Sequence, residues 1–350
     1  MLKMISKQNC DLTKKEKKPK ISAYEIISKS QELSKVAEKY PVRITNYYFN
    51  LIEKENDGVW KQCMPDKKEL MDDEGLEDPL NEEGTTPIPG LTHRYPDRVL
   101  LLISNVCAMY CRFCTRKRKV GKEYETISDE NFERAIQYIK NHPQIRDVIL
   151  SGGDPFMLST EKLEYYIKAI RQIKHVEIIR IGTRVPVVYP QRVNEKLANM
   201  LKKYHPIYVN THFNHPHEIT SQSTKACDLL ANVGIPLGNQ SVLLKGVNDD
   251  PEIMKELVQK LLKIRVKPYY LYFPDITKGT AHLRPNIKQG LKIIESIRGW
   301  TSGMAVPHLI IDIEGGGGKI PILPEYLVSK KENKYIFRNY EGKLFYYKDV

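Results

Sequence analysis

Cys107-Ala108-Met109-Tyr110-Cys111-Arg112-Phe113-Cys114 sets three cysteines in the spacing C-x3-C-x2-C on one short loop. Three thiolates so placed hold three irons of a [4Fe–4S] cube, and with no fourth cysteine in step the last iron stays open to a cofactor or substrate. Other readings of the same residues fit less well. A structural zinc site wants four ligands, usually as two pairs, and a disulfide framework wants a short secreted chain. Cys10, Cys63 and Cys227 are scattered and read as free or buried thiols.

Around this loop lies a globular chain. Its 350 residues, 41% of them hydrophobic, suffice for a buried core in one large domain or two smaller ones. No apolar run approaches the roughly 20 residues of a membrane span. Met1 to Lys20, with seven lysines, lacks the apolar segment of a signal peptide, so the cytoplasm is the expected compartment. The excess of 55 basic over 43 acidic residues gives a net charge of +12, but the charge is diffuse and no aromatic-interleaved basic strip stands out. Neither a nucleic acid nor a membrane is an expected partner. The first 20 residues read as a solvated basic tail, while the acidic stretch from Asp66 to Glu83 would repel phosphates.

Residues 22–55 space their apolar side chains as helices do, with Pro41 and Thr45 marking a break. The segment 64–97 is acidic and rich in Pro and Gly, and reads as an extended connection. From there six strand-like runs (Val99–Ser104, Val148–Ser151, Val176–Ile181, Ile207–Thr211, Leu237–Leu244, Pro268–Phe273) alternate with amphipathic stretches near 128–141, 160–173, 193–203, 218–233, 251–264 and 286–298. Such alternation predicts an α/β fold, a parallel sheet with right-handed crossovers curved into a complete or partial barrel. Chemistry then belongs at the C-terminal ends of the strands, where the cysteine loop, Gly152-Gly153-Asp154, Thr183-Arg184, His212-Phe213-Asn214-His215 and Pro274-Asp275 all fall. The last 25 residues, Tyr326 to Val350, read as a charged, aromatic β-hairpin turning at Asn339-Tyr340-Glu341-Gly342.

Two glycine-bearing segments carry further chemistry. Gly152 and Gly153 remove side chains where a backbone must approach a ligand, leaving amide and carbonyl groups free to bond it. Four consecutive glycines in Asp312-Ile313-Glu314-Gly315-Gly316-Gly317-Gly318-Lys319-Ile320-Pro321 let a flat cofactor approach the main chain, while Lys319 projects from a stiffened Ile-Pro exit. A lysine so placed forms a Schiff base with an aldehyde. A phosphate loop would need Ser or Thr after the lysine, and here Ile320 follows.

The cysteine spacing, with an aromatic before the last cysteine, resembles the signature of radical S-adenosylmethionine (SAM) enzymes, whose cluster reduces and cleaves bound SAM. Over roughly residues 80–328 the chain resembles one family closely, the lysine 2,3-aminomutases, which also carry pyridoxal 5′-phosphate (PLP). The landmarks are Leu91-Thr92-His93-Arg94-Tyr95-Pro96-Asp97-Arg98, the run Thr115-Arg116-Lys117-Arg118, Leu150-Ser151-Gly152-Gly153-Asp154, Asn210-Thr211-His212-Phe213-Asn214-His215-Pro216, Gly238-Asn239-Gln240-Ser241-Val242-Leu243-Leu244 and Gly315 to Lys319. The resemblance implies a partial (β/α)6 TIM-like radical SAM barrel over 98–300, with an N-terminal helical region and linker over 21–97. It places a PLP-lysine segment and hairpin over 301–350.

By that resemblance Cys107, Cys111 and Cys114 hold the cluster, and Phe113, Gly152, Gly153, Asp154, His212 and Gln240 line the SAM pocket. Arg94, Tyr95 and Arg98 belong near the PLP phosphate, and Lys319 is the Schiff-base lysine. Arg116 grips the substrate α-carboxylate, a geometry suited to two-point binding. Asp275 and Asp312 hold the ε-ammonium of lysine, as a desolvated cation requires. The implied activity is interconversion of L-lysine and L-β-lysine by 1,2-amino migration, with an electron donor such as flavodoxin or ferredoxin and a homo-oligomeric assembly. Arginine, ornithine or glutamate as substrate, or a radical SAM enzyme modifying RNA or protein, are the alternatives. Phe113 departs from the His common in the family. Asp250 stands where longer clostridial-type members carry a zinc-binding Cys, and their cysteine-rich C-terminal segment is not in this sequence, so a short form without that zinc site is expected.

Overall fold

The alternating pattern becomes one curled sheet in a computed structural model, which describes residues 22–121 and 127–350. Its strands are β1 (Leu91–Tyr95), β2 (Arg98–Ser104), β3 (Asp147–Gly152), β4 (Ile178–Gly182), β5 (Ile207–Thr211), β6 (Leu237–Val242), β7 (Val266–Tyr272), β8 (His308–Ile313) and β9 (Gly318–Pro321), neighbours in that order. β2 to β8 run parallel, and an antiparallel strand closes each margin: β1 on β2 and β9 on β8. The expected partial barrel is therefore present. Its parallel run is one strand longer than the six read from sequence, because the short run His308–Ile313 carries the charged Asp312 and leads straight into the glycine segment. The sheet also reaches beyond the expected 98–300 at both ends, through β1 and through β8–β9.

Strand periodicity decides what faces where. In β3, Val148 and Leu150 are fully buried on the outer face, while Ile149 and Ser151 point to the lumen. Ile179, Ile181, Ile207, Val209, Leu271 and Leu309 repeat the outward apolar positions. Amphipathic helices cover them: Asp129–Lys140, Thr160–Arg171, Glu195–Lys202, Ser221–Asn232, Pro251–Lys263 and Ile287–Ile297. Each of these starts at a residue whose side chain accepts the first free amides, for example Ser128 from Asn131 and Asp250 from Glu252 at 2.9 Å. Asp250 is thus a helix cap here. The inner face is polar and aromatic, and encloses a cavity of about 790 Å³.

The helical N-terminal region forms as expected, with Ala23–Lys29, Gln31–Lys39 and a short turn Asn46–Phe49 capped by Thr45. It is fastened to the barrel rather than tethered. Thr45 donates to Val188 O at 2.6 Å, Tyr47 Oη meets Thr220 Oγ1 at 2.6 Å, and Tyr48 donates to Glu218 at 2.5 Å. The connection over 64–97 is not simply extended, since it holds two 3₁₀ turns, Lys67–Leu70 and Glu83–Thr85, and ends in β1. The C-terminal extension is a three-stranded antiparallel sheet, β10 (Leu327–Lys331), β11 (Lys334–Arg338) and β12 (Leu344–Lys348), with the expected turn at 339–342 joining its last two strands. The basic tail read at 1–20 lies outside the described residues. Among the described residues no helix is long and apolar enough to cross a membrane.

Candidate active site

The cysteine loop leaves the C-terminal end of β2 and is braced from beneath. Glu69, fully buried, accepts from Arg112 Nε at 2.9 Å, from Arg112 Nη2, and from Lys117 Nζ at 2.6 Å, so one carboxylate joins the residues that bracket Cys114. Burial pushes the Lys117 ammonium down to about 8, Glu69 acting against it. Cys111 Sγ accepts from Arg184 Nη1 at 2.8 Å. Burial, reinforced by Cys111, pushes the Cys114 thiol up to about 11, and burial also raises Cys107. Among the described residues no three metal-binding side chains converge on a single-ion site.

Behind the loop, Gly152 and Gly153 are set by close approach. A Cβ on Gly152, at φ +117°, would stand 2.2 Å from Ser104 O, and one on Gly153 would stand 2.6 Å from Val106 O. The two backbones bond directly, Asp154 N donating to Val106 O at 2.8 Å. Asp154 itself is turned inward: its carboxylate accepts from Phe156 N, Thr183 Oγ1, Arg184 N and Val185 N at 2.6–3.1 Å. It holds the β3 and β4 turns together, leaving only the glycine backbone to face a ligand.

Arg184, buried at the end of β4, is the hub of this half of the site. It donates to Gln62 at 2.5 Å, Glu218 at 2.9 Å and His212 O at 3.1 Å besides Cys111. Its guanidinium lies 5.2 Å from the Phe113 ring, which in turn meets the His212 ring at 5.4 Å. Burial and the Arg184 charge drive His212 well below the usual imidazole range, so the ring is neutral, and its buried Nε2 has no hydrogen-bond partner. Gln240 lines the barrel cavity from β6.

Lys319 lies on the opposite margin. β8 and β9 pair so that Asp312 and Lys319 are directly opposed, and Lys319 Nζ reaches Asp312 Oδ2 at 2.5 Å. The Lys319 amide donates to Tyr95 Oη at 3.0 Å, which brings β1 alongside. Gly318, at φ +84°, would place a Cβ 3.2 Å from that hydroxyl, so the last glycine of the run is required by this approach. Arg98 stacks on the Tyr95 ring at 3.8 Å, and Arg94 Nη1 stands 3.6 Å from Asp312 Oδ1. Arg94 Nε is buried without a hydrogen-bond partner, as is Asp312 Oδ1.

Asp275, at the end of β7, accepts from Thr115 at 2.5 Å. Burial pushes its carboxyl up to about 6; the Thr115 hydrogen bond opposes this and the Asp312 charge adds to it. The two aspartates therefore share one electrostatic environment. Arg116 makes a two-point pair with Glu82, Nε at 3.1 Å and Nη2 at 2.5 Å. Lys319, Asp312, Arg94, Tyr95, Arg98, Arg116 and Gln240 line one cavity.

Residues 101–258 match the model of the radical SAM superfamily and residues 294–350 a model described as lysine-2,3-aminomutase. An L-lysine 2,3-aminomutase from Clostridium subterminale is 56% identical over 302 residues, covering 85% of this chain and 73% of the relative. The chain belongs to the lysine 2,3-aminomutase family. An L-lysine 2,3-aminomutase from Acetoanaerobium sticklandii is 57% identical over 302 residues with the same shares of each chain, and a glutamate 2,3-aminomutase from Clostridioides difficile is 44% identical over 335 residues, 95% of this chain and 76% of that one. Membership in the lysine 2,3-aminomutase family brings a [4Fe–4S] cluster, SAM and PLP. The residues fit all three: clustered thiols for iron, an imidazole with a free buried Nε2 and a side-chain-free Gly-Gly backbone, and a lysine with two arginines and a tyrosine lining one cavity.

Thr183-Arg184 was legible at a strand end, but the role of Arg184 as a hub was not, nor were Glu218, Gln62 and Glu82 as site residues. For Glu82 a signal existed: the acidic run 66–83 and the basic run Arg116-Lys117-Arg118-Lys119 are complementary, and they pair in space.

Proposed function

We propose that this enzyme interconverts L-lysine and L-β-lysine, moving an amino group between adjacent carbons. The observation that carries the substrate reading is Asp312 in the cavity that also holds Arg116 and Lys319, with Asp275 buried behind the cavity residue Thr115 and within reach of the Asp312 charge. A carboxylate pair at one end and a guanidinium at the other measure out an amino acid with a distant cation. A relative taking glutamate should carry basic or neutral groups at the two aspartate positions.

When bound, the cluster with SAM supplies the one-electron chemistry that takes and returns a hydrogen atom, and PLP supplies the aldehyde that carries the migrating nitrogen. The residues of this chain do the positioning. Cys107, Cys111 and Cys114 hold iron; the Gly152–Gly153 backbone, His212, Phe113 and Gln240 receive SAM. Lys319 would hold PLP through its aldehyde, and Arg94, Tyr95 and Arg98 would receive its phosphate. Arg116 fixes the substrate carboxylate, Asp275 and Asp312 fix its side-chain ammonium, and the enclosing barrel keeps water from the reacting carbons.

A small one-electron donor such as flavodoxin or ferredoxin fits the need for a reduced cluster, in the cytoplasm. The exposed apolar side chains of the C-terminal sheet, among them Leu327, Val328, Leu344 and Phe345, support a homo-oligomer. Anaerobic incubation with SAM, PLP, reductant and a panel of amino acids tests the reading. A β-isomer from lysine is expected; one formed only from arginine, ornithine or glutamate overturns the substrate. Absence of a PLP chromophore after reconstitution points instead to an RNA- or protein-modifying enzyme.

A further inference from the structure

The acidic segment before β1 crosses the mouth of the barrel. Leu80 O accepts from Arg94, Pro79 O accepts from Gly315 N at 3.0 Å, and Glu82 reaches down to Arg116. Glu82 is buried in a strap whose neighbours Asn81, Glu83 and Gly84 are exposed. Its carboxyl would be raised by burial, but the Arg116 charge holds it below the usual carboxylate range. In the same cavity the second recognition group, Asp312, holds the ammonium of Lys319. Each of the two groups suited to a cationic amino acid thus carries an internal partner of the ligand's own charge: a carboxylate on the guanidinium, an ammonium on the carboxylate.

We propose that Glu82 is an internal stand-in for the substrate α-carboxylate, and that the strap 78–86 swings away from Arg116 when the amino acid arrives. This rests on Arg116 being the carboxylate grip. Two properties of the strap suit the exchange. Among its side-chain ties are ion pairs that water readily replaces: Asp78 and Glu83 pair with Arg118 at 3.2 and 3.4 Å, and Glu83 is largely exposed. The trade is also charge for charge, so Arg116 is not left buried and unpaired, which would be costly. Glu82 becomes a specificity residue: a ligand must bring a carboxylate to displace it, and the corresponding diamine cannot.

The test uses the full chain reconstituted with PLP, cluster and SAM. Because a competing internal ligand lowers apparent affinity by the fraction of open sites, Glu82→Gln should lower the KM for L-lysine by about three- to tenfold with kcat within about twofold. Amide hydrogen exchange in 79–86 should rise about threefold or more when L-lysine is added to the unaltered enzyme, and should not rise with 1,5-diaminopentane. In E82Q it should be fast with or without lysine. A raised KM in E82Q, or a strap that lysine leaves unchanged or slows, overturns the proposal and makes Glu82 a permanent support for Arg116. Should E82Q fail to fold, exchange in the unaltered enzyme decides alone. Arg116→Gln separates the two readings: a KM for lysine that it leaves unchanged removes the carboxylate grip itself, whatever E82Q does.

Discussion

Asp312 and Lys319 face one another across the antiparallel pairing of β8 and β9, and the carboxylate takes the ammonium at 2.5 Å. The residue proposed to receive the substrate's cation is therefore neutralised by the residue proposed to receive the cofactor's aldehyde. Lys319→Ala should abolish borohydride trapping of PLP at this position and take β-isomer formation below detection. It should also leave Asp312 with only the 3.6 Å contact to Arg94, and because Lys319 is partly exposed the expected loss of stability is about 1–2 kcal/mol, read by denaturant titration of the apo protein. Trapping on another lysine would reassign the glycine run.

Specificity is addressed by Asp275→Asn and Asp312→Asn. Each removes a charge-assisted contact of about 1.5–3 kcal/mol, so kcat/KM for lysine should fall roughly ten- to hundredfold while that for norleucine changes little. Rates that fall together for both amino acids would mean that the aspartates serve only the fold.

The Asp275 carboxyl, pushed up to about 6 from 3.8 by burial, gives a pH prediction with two signs. Its charge, and with it lysine binding, is present above about pH 6 and lost below, so kcat/KM should carry an acidic limb near that value which D275N lacks. For stability the raised value works the other way: protonation favours the fold, and the benefit is lost as pH rises through about 6. D275N should then be more stable than the parent at pH 8, by an amount on the order of 3 kcal/mol that shrinks towards pH 4. Thermal melts of the apo protein at the two pH values measure it.

Replacing Cys107, Cys111 or Cys114 by Ala should remove cluster iron and SAM cleavage while PLP remains bound, since the thiols sit on the loop after β2 and, among the described residues, none of them makes a hydrogen bond or ion pair with Lys319, Arg94, Tyr95 or Arg98. Iron content, 5′-deoxyadenosine release and the PLP absorbance are the three readings. Parent-like cleavage in any variant would sink the cluster assignment.

Glu69→Gln leaves Arg112 and Lys117 buried without their counter-charge. The expected loss is about 3–5 kcal/mol, read by chemical denaturation of the apo protein, with weaker iron incorporation after reconstitution. A variant as stable as the parent would show that Arg112 and Lys117 find other partners.

How far the sequence carried depended on whether a feature was local. Strand and helix periods, the cysteine spacing and the glycine run are local, and the barrel, the cluster loop and the position of Lys319 all follow from them. Asp154 shows the limit: its motif resembles a ligand-facing segment, yet four donors from its own and the next turn surround it, and no spacing rule reports that. Arg184 is similar, for its partners Gln62, Cys111 and Glu218 come from three distant segments. The C-terminal extension was read as two strands because Leu327–Lys331 is exposed along its whole length and lacks an alternating apolar face.

The sheet is not a closed ring. Between β1 and β9 there is no ladder, and the gap is spanned by the Tyr95 hydroxyl on the Lys319 amide and by Arg94 beside Asp312. A curled sheet with two free margins behaves as a clasp, and here the catch is made of the residues assigned to the cofactor. These few contacts fasten the first strand of the sheet to the last, two segments more than 200 residues apart in the chain. Anything that tightens or loosens that catch would then register along the whole barrel, and first as a change in how readily proteases cut near β1 and β9.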